Sequence, residues 1–150
     1  MSQSLANILI HLVFSTKERQ RLLRDDARSE LHAYIAGILR NHHCQVIEMN
    51  SVDDHIHLLF AITKTEPLAK IVEQVKSHSS FWLKDQGRAA ADFAWQRGYG
   101  AFSVSPAHVG IVRRYIQNQR DHHAKVSFMD EFRRLCQKNL VPLDERYAWD

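Results

Sequence analysis

The sequence predicts an α+β protein of the ferredoxin-like (split βαβ) class, in which an antiparallel sheet carries helices on one face. Three observations lead to this: short apolar runs typical of strands, longer segments with helical periodicity, and the order strand, helix, strand, strand, helix, strand. The chain has 150 residues, 45% of them hydrophobic, which is enough for one complete core. We therefore expect one domain over residues 1–150, with an additional C-terminal, tyrosine-bearing helix.

The first half of the chain contains three predicted strands and one helix. Residues 5–14, LANILIHLVF, read as a strand that leads into the basic loop STKERQR. Residues 25–43, DDARSELHAYIAGILRNHH, begin with acidic and end with basic residues, as a helix dipole favours. The runs CQVIEMNSV and HIHLLFAIT then predict two strands, joined by a tight turn at Asp53 and Asp54.

The second half contains one predicted strand and several helices. After Pro67, LAKIVEQVKSHSSFWLKDQ predicts an amphipathic helix whose apolar stripe comprises Leu68, Ile71, Val72, Val75, Phe81 and Leu83. Glycines interrupt FAWQRGYGAFSVS, so we expect a strand across or just after RGYG. Next, SPAHVGIVRRYIQNQRDHH opens with serine before proline, a helix start signal, and FMDEFRRLCQK is a further helix.

Charge and cysteine content narrow the class of protein. The formal net charge of +3 and the pI of about 9.0 suit a polyanionic partner without requiring one. The two cysteines, Cys44 and Cys136, lie outside any CxxC context, so neither a thiolate zinc site nor a disulfide framework is predicted. No apolar run reaches the roughly 18 residues of a membrane span. We expect a cytoplasmic protein with no membrane segment.

The stretch DDHIHLLF places two histidines at the head of an apolar strand. Because side chains alternate across a strand, His55 and His57 share one face, while Ile56, Leu58 and Phe60 can bury against helices on the other. Two imidazoles at this spacing can bind one divalent ion, but a third ligand must come from elsewhere. The alternative is a pair of half-exposed sheet histidines without metal.

The segment VRRYIQNQRDHH offers a third ligand and a nucleophile. Tyr115 and Gln119 lie four residues apart and face the same way on a helix. If this helix crosses the open face of the sheet, Gln119 completes a site of two imidazoles and one amide, with Tyr115 beside it. His122 and His123, one turn further on, are alternative ligands or DNA contacts. A core tyrosine beside a solvated glutamine is the competing interpretation.

These motifs, taken in order, resemble the single-tyrosine transposases of the HUH endonuclease superfamily, the insertion-sequence enzymes that move single-stranded DNA. The resemblance covers nearly the whole chain. It rests on HLVFSTKERQ, DDHIHLLF, VKSHSSFWL, WQRGYGAFSVS, VRRYIQNQRDHH and FMDEF in that order. By this resemblance His55, His57 and Gln119 are the metal ligands and Tyr115 is the nucleophile.

The resemblance also implies a mechanism and partners. Tyr115 would attack a phosphodiester to give a 5′-phosphotyrosine, which a 3′-hydroxyl later attacks to reseal the strand, with Mg²⁺ or Mn²⁺ bound and no nucleotide cofactor. The expected partner is single-stranded DNA with hairpins at the element ends. A homodimer is expected, in which the tyrosine helix can serve the partner's site.

Basic side chains supply candidate contacts to such a hairpin. The candidates are Lys17, Arg19, Arg21, Lys76, Arg113 and Arg114.

Two other functions remain open. One is a zinc-dependent phosphodiester hydrolase that uses a metal-activated water and tolerates loss of the Tyr115 hydroxyl. The other is a catalytically silent nucleic-acid-binding module, whose binding would need no metal.

Overall fold

The computed structural model describes residues 2–150 and contains a four-stranded antiparallel sheet. Its strands are β1 (Leu9–Ser15), β2 (Gln45–Ser51), β3 (His55–Ala61) and β4 (Gly100–Val104). The strand order is β2-β3-β1-β4, and every neighbouring pair is antiparallel. This is the ferredoxin-like arrangement, so the predicted fold class is confirmed. The fourth strand begins just after the RGYG stretch.

Two helices cover one face of the sheet and enclose the main core. They are α1 (Arg28–Asn41) and α2 (Leu68–Asp85). Apolar side chains of β1 and β3 pack against them, among them Phe14, Ile56 and Phe60, all of which are fully buried. Phe81 does not belong to this core: the prediction that it lies on the buried stripe of α2 is wrong, since its side chain is 66% exposed. Within residues 2–150 no helix is long and apolar enough to cross a membrane.

Three further helices cover the opposite face of the sheet. They are α3 (Val109–Gln117), α4 (Gln119–His123) and α5 (Phe128–Lys138). The predicted tyrosine helix is thus divided at Asn118, which separates α3 from α4. A second apolar cluster lies beneath α5 and joins Val13 and Phe102 of the sheet to the aromatic side chains of that helix.

The close approach of α5 to β4 depends on Gly100. A Cβ atom at this position would lie 2.7 Å from Cε2 of Phe132. Real Cβ atoms do not approach a ring carbon this closely, so any larger residue would push Phe132 away from the strand. The glycine therefore lets α5 rest directly on β4, and this contact fixes the helix that carries Glu131.

A histidine on α1 is expected to make the fold sensitive to acid. Nε2 of His32 lies 2.7 Å from the Ser51 hydroxyl. Burial and the nearby Arg28 guanidinium lower the pKa of His32 to about 4. The unfolded chain therefore binds this proton more tightly, so the His32 contribution to stability is complete above about pH 6.5 and is lost as the pH falls toward 4. The loss amounts to about 3 kcal/mol.

Denaturant unfolding between pH 7 and pH 4 measures this contribution. His32→Asn is expected to lose less stability than the wild type over that range, and the difference between the two curves isolates His32 from the other buried histidines. His43→Asn is the matched control, because His43 is exposed and its positive φ of 58° suits asparagine. If the unfolding free energies of His32→Asn and the wild type fell in parallel with pH, the proposed contribution of His32 would be contradicted.

Candidate active site

The two histidines of β3 lie beneath the helices on the second face of the sheet. Strand alternation directs both imidazoles to this face, and the exposed fraction of each side chain is 0%. Their ring centroids are 5.2 Å apart. The expected same-face arrangement is therefore present, but these are fully buried side chains rather than half-exposed ones.

His55 is held as a cation when no metal is bound. Its Nδ1 lies 2.6 Å from Oδ1 of Asp54, and its Nε2 lies 3.4 Å from Oε1 of Glu131. Burial alone would lower the pKa of His55, but the hydrogen bonds to these two carboxylates outweigh burial and raise it to about 9. Asp54 also fixes the orientation of the ring, as a carboxylate behind a metal-ligating histidine commonly does.

His57 is buried in its neutral form and is oriented by a third histidine, His11. Its Nε2 lies 2.8 Å from Oε1 of Glu131, and its Nδ1 lies 2.8 Å from Nε2 of His11. Burial lowers the pKa of His57 to about 4 and that of His11 to about 3. Because both rings are neutral, Nε2 of His11 donates to Nδ1 of His57, and Nε2 of His57 donates to Oε1 of Glu131. The positive charge opposite Glu131 resides on His55.

Sequence reasoning missed His11, although a signal was present. In LIHLVFS, His11, Val13 and Ser15 alternate with the core residues Leu12 and Phe14. The register of β1 against β3 pairs Ser15 with His55 and Val13 with His57, so His11 shares the histidine face. The alternation could thus have placed a third imidazole beside the predicted pair.

Gln119 and Tyr115 meet at the site despite the break between α3 and α4. Gln119 is fully buried, and its Oε1 lies 3.3 Å from Nε2 of His55. The Tyr115 ring centroid lies 5.8 Å from that of His57. The side-chain amide of Asn50 on β2 donates to the Ile116 carbonyl at 2.8 Å and so anchors the end of α3 to the sheet. All four predicted site residues are therefore brought together within one chain.

A carboxylate that sequence analysis did not assign, Glu131, lies at the centre of this group. Its side chain accepts hydrogen bonds from His57, from the Tyr115 hydroxyl and from Nε2 of Gln119 at 3.1 Å. Glu131 is only 1% exposed. In α5 it follows Phe128 by three residues and precedes Phe132, so it lies on the apolar face of that helix. This position was the available signal that the carboxylate is buried.

The negative charge of Glu131 makes it harder for Tyr115 to lose its proton. Burial alone would raise the pKa of Glu131, but the surrounding imidazoles of His57, His123 and His55 hold it well below its usual range. Burial and the adjacent carboxylate of Glu131 raise the pKa of Tyr115 above its usual value. Tyr115 is therefore a neutral hydrogen-bond donor in this arrangement and not an activated phenolate.

The donor set fits a divalent metal ion. His55, His57, His123 and Glu131 each offer one ligand atom, and these atoms all lie within 4.8 Å of one another. Nε2 of His122 and of His123 lie 3.2 and 3.1 Å from Oε2 of Glu131, yet neither makes a hydrogen bond within residues 2–150. Imidazole nitrogens without a partner beside a carboxylate are groups that a cation can satisfy.

A cavity of about 510 Å³ leads from Tyr115 to the surface between β4, α3 and α5. His11, Tyr115, Glu131, Arg134 and Lys138 are among its lining residues. Arg134 and Lys138 are exposed cations of α5 that sequence reasoning did not single out. Tyr115 thus lines a cavity that a ligand enters past positive charge.

Two of the six predicted DNA-contact residues donate to backbone carbonyls of the chain. Nζ of Lys76 donates to the carbonyls of Gln96, Arg97 and Gly98 at 2.8, 3.2 and 2.6 Å, which occupies its three donors. The Arg19 guanidinium donates to the Trp149 carbonyl at 3.2 Å and lies 5.7 Å from the centroid of that ring. Both side chains hold loops together in this structure.

The remaining four basic candidates are exposed. Arg21 lies 3.6 Å from Asp53, with 83% of its own side chain exposed. Arg113 lies 3.5 Å from Glu48, with 49% of its side chain exposed. Lys17 and Arg114 are exposed as well. Surface pairs of this kind contribute little to stability, so these side chains remain available to a ligand.

The sheet topology, the buried histidine pair and the adjacent tyrosine together define the class of the tyrosine-dependent DNA transposases. Residues 4–119 match the family described as "Transposase IS200 like", and the chain belongs to that family. It is accordingly a DNA transposase.

The chain is also similar to individual proteins in sequence or in fold. The chain is 23% identical over 116 residues to the ISDra2 transposase TnpA of Deinococcus radiodurans, which covers 74% of this chain and 83% of the relative. A crystal structure assigned as a transposase of D. radiodurans R1 matches with a TM-score of 0.61 and 21% identity, over 79% of this chain and 98% of the other. The structure of a REP-associated tyrosine transposase bound to a REP hairpin matches with a TM-score of 0.61 and 12% identity, over 84% of this chain and 76% of the other.

Proposed function

We propose that this transposase cleaves and rejoins single-stranded DNA at insertion-sequence ends through a 5′-phosphotyrosine at Tyr115, with Mg²⁺ or Mn²⁺ held by His55, His57 and Gln119. The observation that carries the proposal is the position of Tyr115, which lines an open cavity and whose hydroxyl shares one carboxylate with the His57 imidazole. A nucleophile and a metal-ligand set are thus side by side at one accessible point.

The chain's own residues supply most of the reaction geometry. A bound divalent cation would supply Lewis-acid stabilisation of a non-bridging phosphate oxygen. Oη of Tyr115 forms a bond to phosphorus while the bond from phosphorus to the 3′-oxygen breaks, so that the phenol loses a proton and the 3′-oxygen gains one. Because the phosphodiester energy is retained in the tyrosine link, a second 3′-hydroxyl can reverse the step and join a different DNA end.

The DNA path that we propose runs along the exposed cations near the cavity. Arg134 and Lys138 line the cavity itself, and Arg113 and Arg114 lie on the helix that carries Tyr115. Lys17 and Arg21 would contact the flanking hairpin. Arg19 and Lys76 remain predicted contacts, although their internal partners would have to be shared or exchanged. Phosphate contacts of this kind position the strand without reading its sequence.

We also propose a homodimer, on the strength of the family resemblance. A two-chain mass in sedimentation would support this proposal, and a single-chain mass that does not change with concentration would contradict it. Whether the tyrosine helix then serves its own chain or the partner is a separate question, which paired variants can answer.

The adduct itself tests the function. Purified protein is mixed with single-stranded DNA from the ends of its own element and Mg²⁺ or Mn²⁺, with the strand labelled at either its 5′ or its 3′ end. The 3′ label is expected to migrate with denatured protein, while the 5′-labelled fragment is released with a free 3′-hydroxyl. EDTA is expected to abolish both products.

Other outcomes identify the competing functions. Metal-dependent cleavage with no label on the protein would replace the proposal with a hydrolase that uses a metal-activated water, in which case Zn²⁺ becomes the first metal to test. Tight binding of verified element ends without cleavage, unchanged by EDTA, would replace it with a binding module.

A further inference from the structure

The two oxygens of Glu131 face different groups of side chains. Oε1 faces the two predicted histidine ligands, at 2.8 Å from Nε2 of His57 and 3.4 Å from Nε2 of His55. Oε2 accepts from the Tyr115 hydroxyl and from Gln119. One carboxylate therefore connects the metal-ligand side of the site to the nucleophile.

This carboxylate has more polar neighbours than it can satisfy. A carboxylate offers about four lone-pair sites. Six side chains surround Glu131, namely His55, His57, Tyr115, Gln119, His122 and His123. The two whose Nε2 atoms make no hydrogen bond among residues 2–150, His122 and His123, are both on the Oε2 side. The arrangement around Glu131 is thus incomplete without a further group.

The separations on the Oε1 side match those between neighbouring ligands of one small cation. Ligands at about 2.1 Å from an octahedral Mg²⁺ lie about 3 Å from each other. The distances of 2.8 and 3.4 Å from Oε1 to the two imidazole nitrogens bracket that value. Mg²⁺ and Mn²⁺ also prefer carboxylate oxygen, which the predicted set of two imidazoles and one amide does not contain.

We propose that Glu131 is a ligand of the same cation as His55 and His57, and that it exchanges between two partners. Without a cation, Glu131 holds the Tyr115 hydroxyl. With a cation, the carboxylate turns so that Oε2 as well as Oε1 faces the metal, and the hydroxyl is released toward the cavity. This inference rests on the proposed metal site and adds that metal binding frees the nucleophile, so an enzyme without metal keeps Tyr115 occupied.

Metal binding in the absence of DNA tests the ligand role. Mn²⁺ is titrated into wild type, Glu131→Gln and His57→Ala, and free Mn²⁺ is followed by electron paramagnetic resonance. Glu131→Gln keeps the size and shape of the side chain, and is expected to weaken Mn²⁺ binding by at least about tenfold, since a charged oxygen ligand is lost. Glu73→Gln, at an exposed position of α2, is the matched control and is expected to bind as wild type.

The release of Tyr115 has its own measurement. The wild-type chain is labelled with 3-fluorotyrosine, and the Tyr115 resonance is identified by its absence in Tyr115→Phe. Saturating Mg²⁺ is expected to move this fluorine resonance toward the position of tyrosine in a short peptide. This experiment needs no Glu131 variant, so it tests the release of the Tyr115 hydroxyl even if Glu131→Gln fails to fold.

Several results would overturn the inference. Mn²⁺ affinity that is unchanged or increased in Glu131→Gln would show that the carboxylate is not a ligand. A Tyr115 resonance that stays in place at saturating Mg²⁺ would show that the hydroxyl is not released. If His57→Ala loses Mn²⁺ in either case, the proposed metal site stands and only the role of Glu131 fails. A wild-type chain that binds no Mn²⁺ would instead remove the metal site itself.

Discussion

Replacement of Tyr115 by phenylalanine is expected to abolish the covalent protein–DNA adduct and to reduce strand cleavage by at least about 10⁴-fold, the scale of loss when an enzyme's covalent nucleophile is removed. The substitution deletes only the hydroxyl. The ring keeps its packing near His11, His57 and His122, whose centroids lie 6.2, 5.8 and 5.4 Å away. The loss is therefore one of chemistry and not of fold.

Measurements of stability and metal affinity distinguish a loss of chemistry from a loss of fold in Tyr115→Phe. Removing one donor from the charged Glu131 carboxylate is expected to cost about 1.5–3 kcal/mol of unfolding free energy. Mn²⁺ binding should persist, because Tyr115 is not among the proposed ligands. Tyr147→Phe, at a side chain that is 67% exposed, is the control and should cleave as wild type. An adduct that forms normally in Tyr115→Phe would assign the nucleophile to another residue.

The parts of the site that follow simple periodicity were predictable from sequence. Alternation along β3 placed His55 and His57 on one face, and the spacing of four residues placed Gln119 beside Tyr115. Both rules depend only on local backbone geometry. Gln119 still reaches His55 although the helix is divided at Asn118, because α4 resumes helical backbone immediately after that residue.

The missed residues depend on packing between distant segments. Glu131 is central only because α5 lies on β4, a contact that requires Gly100 and Phe132 to meet closely. Lys76 was predicted as a DNA contact from its charge, but the loop at residues 96–98 supplies three carbonyls to its ammonium group. Neither relationship appears in the spacing of residues along the chain.

Replacement of His57 by alanine is expected to weaken Mn²⁺ binding more than about 100-fold, since even loss of an outer-shell partner costs 10–100-fold. Strand cleavage should fall with metal affinity. The substitution also removes a donor from the buried Glu131 carboxylate and leaves His11 without its partner, so we expect unfolding free energy to drop by about 1–3 kcal/mol. Calorimetric metal titration and denaturant unfolding measure the two effects separately.

His78→Ala, at an exposed position on α2, is the control for loss of a histidine as such. It should change neither metal affinity nor cleavage. A His57→Ala protein that retains metal-dependent cleavage would exclude His57 from the ligand set, whatever its stability.

Mixing the Tyr115→Phe and His57→Ala proteins shows which chain's tyrosine acts. In the structure Tyr115, His57 and Glu131 meet within one chain, and α3 is tied to β2 of that chain through Asn50. If catalysis keeps this arrangement, each mixed dimer has one site without a nucleophile and one without a metal ligand, and no adduct forms. If the tyrosine helix crosses to the partner subunit, one of the two sites regains both groups, and the adduct carries the mass of the His57→Ala chain. The absence of recovery is expected from the contacts of α3, provided that subunits are shown to exchange.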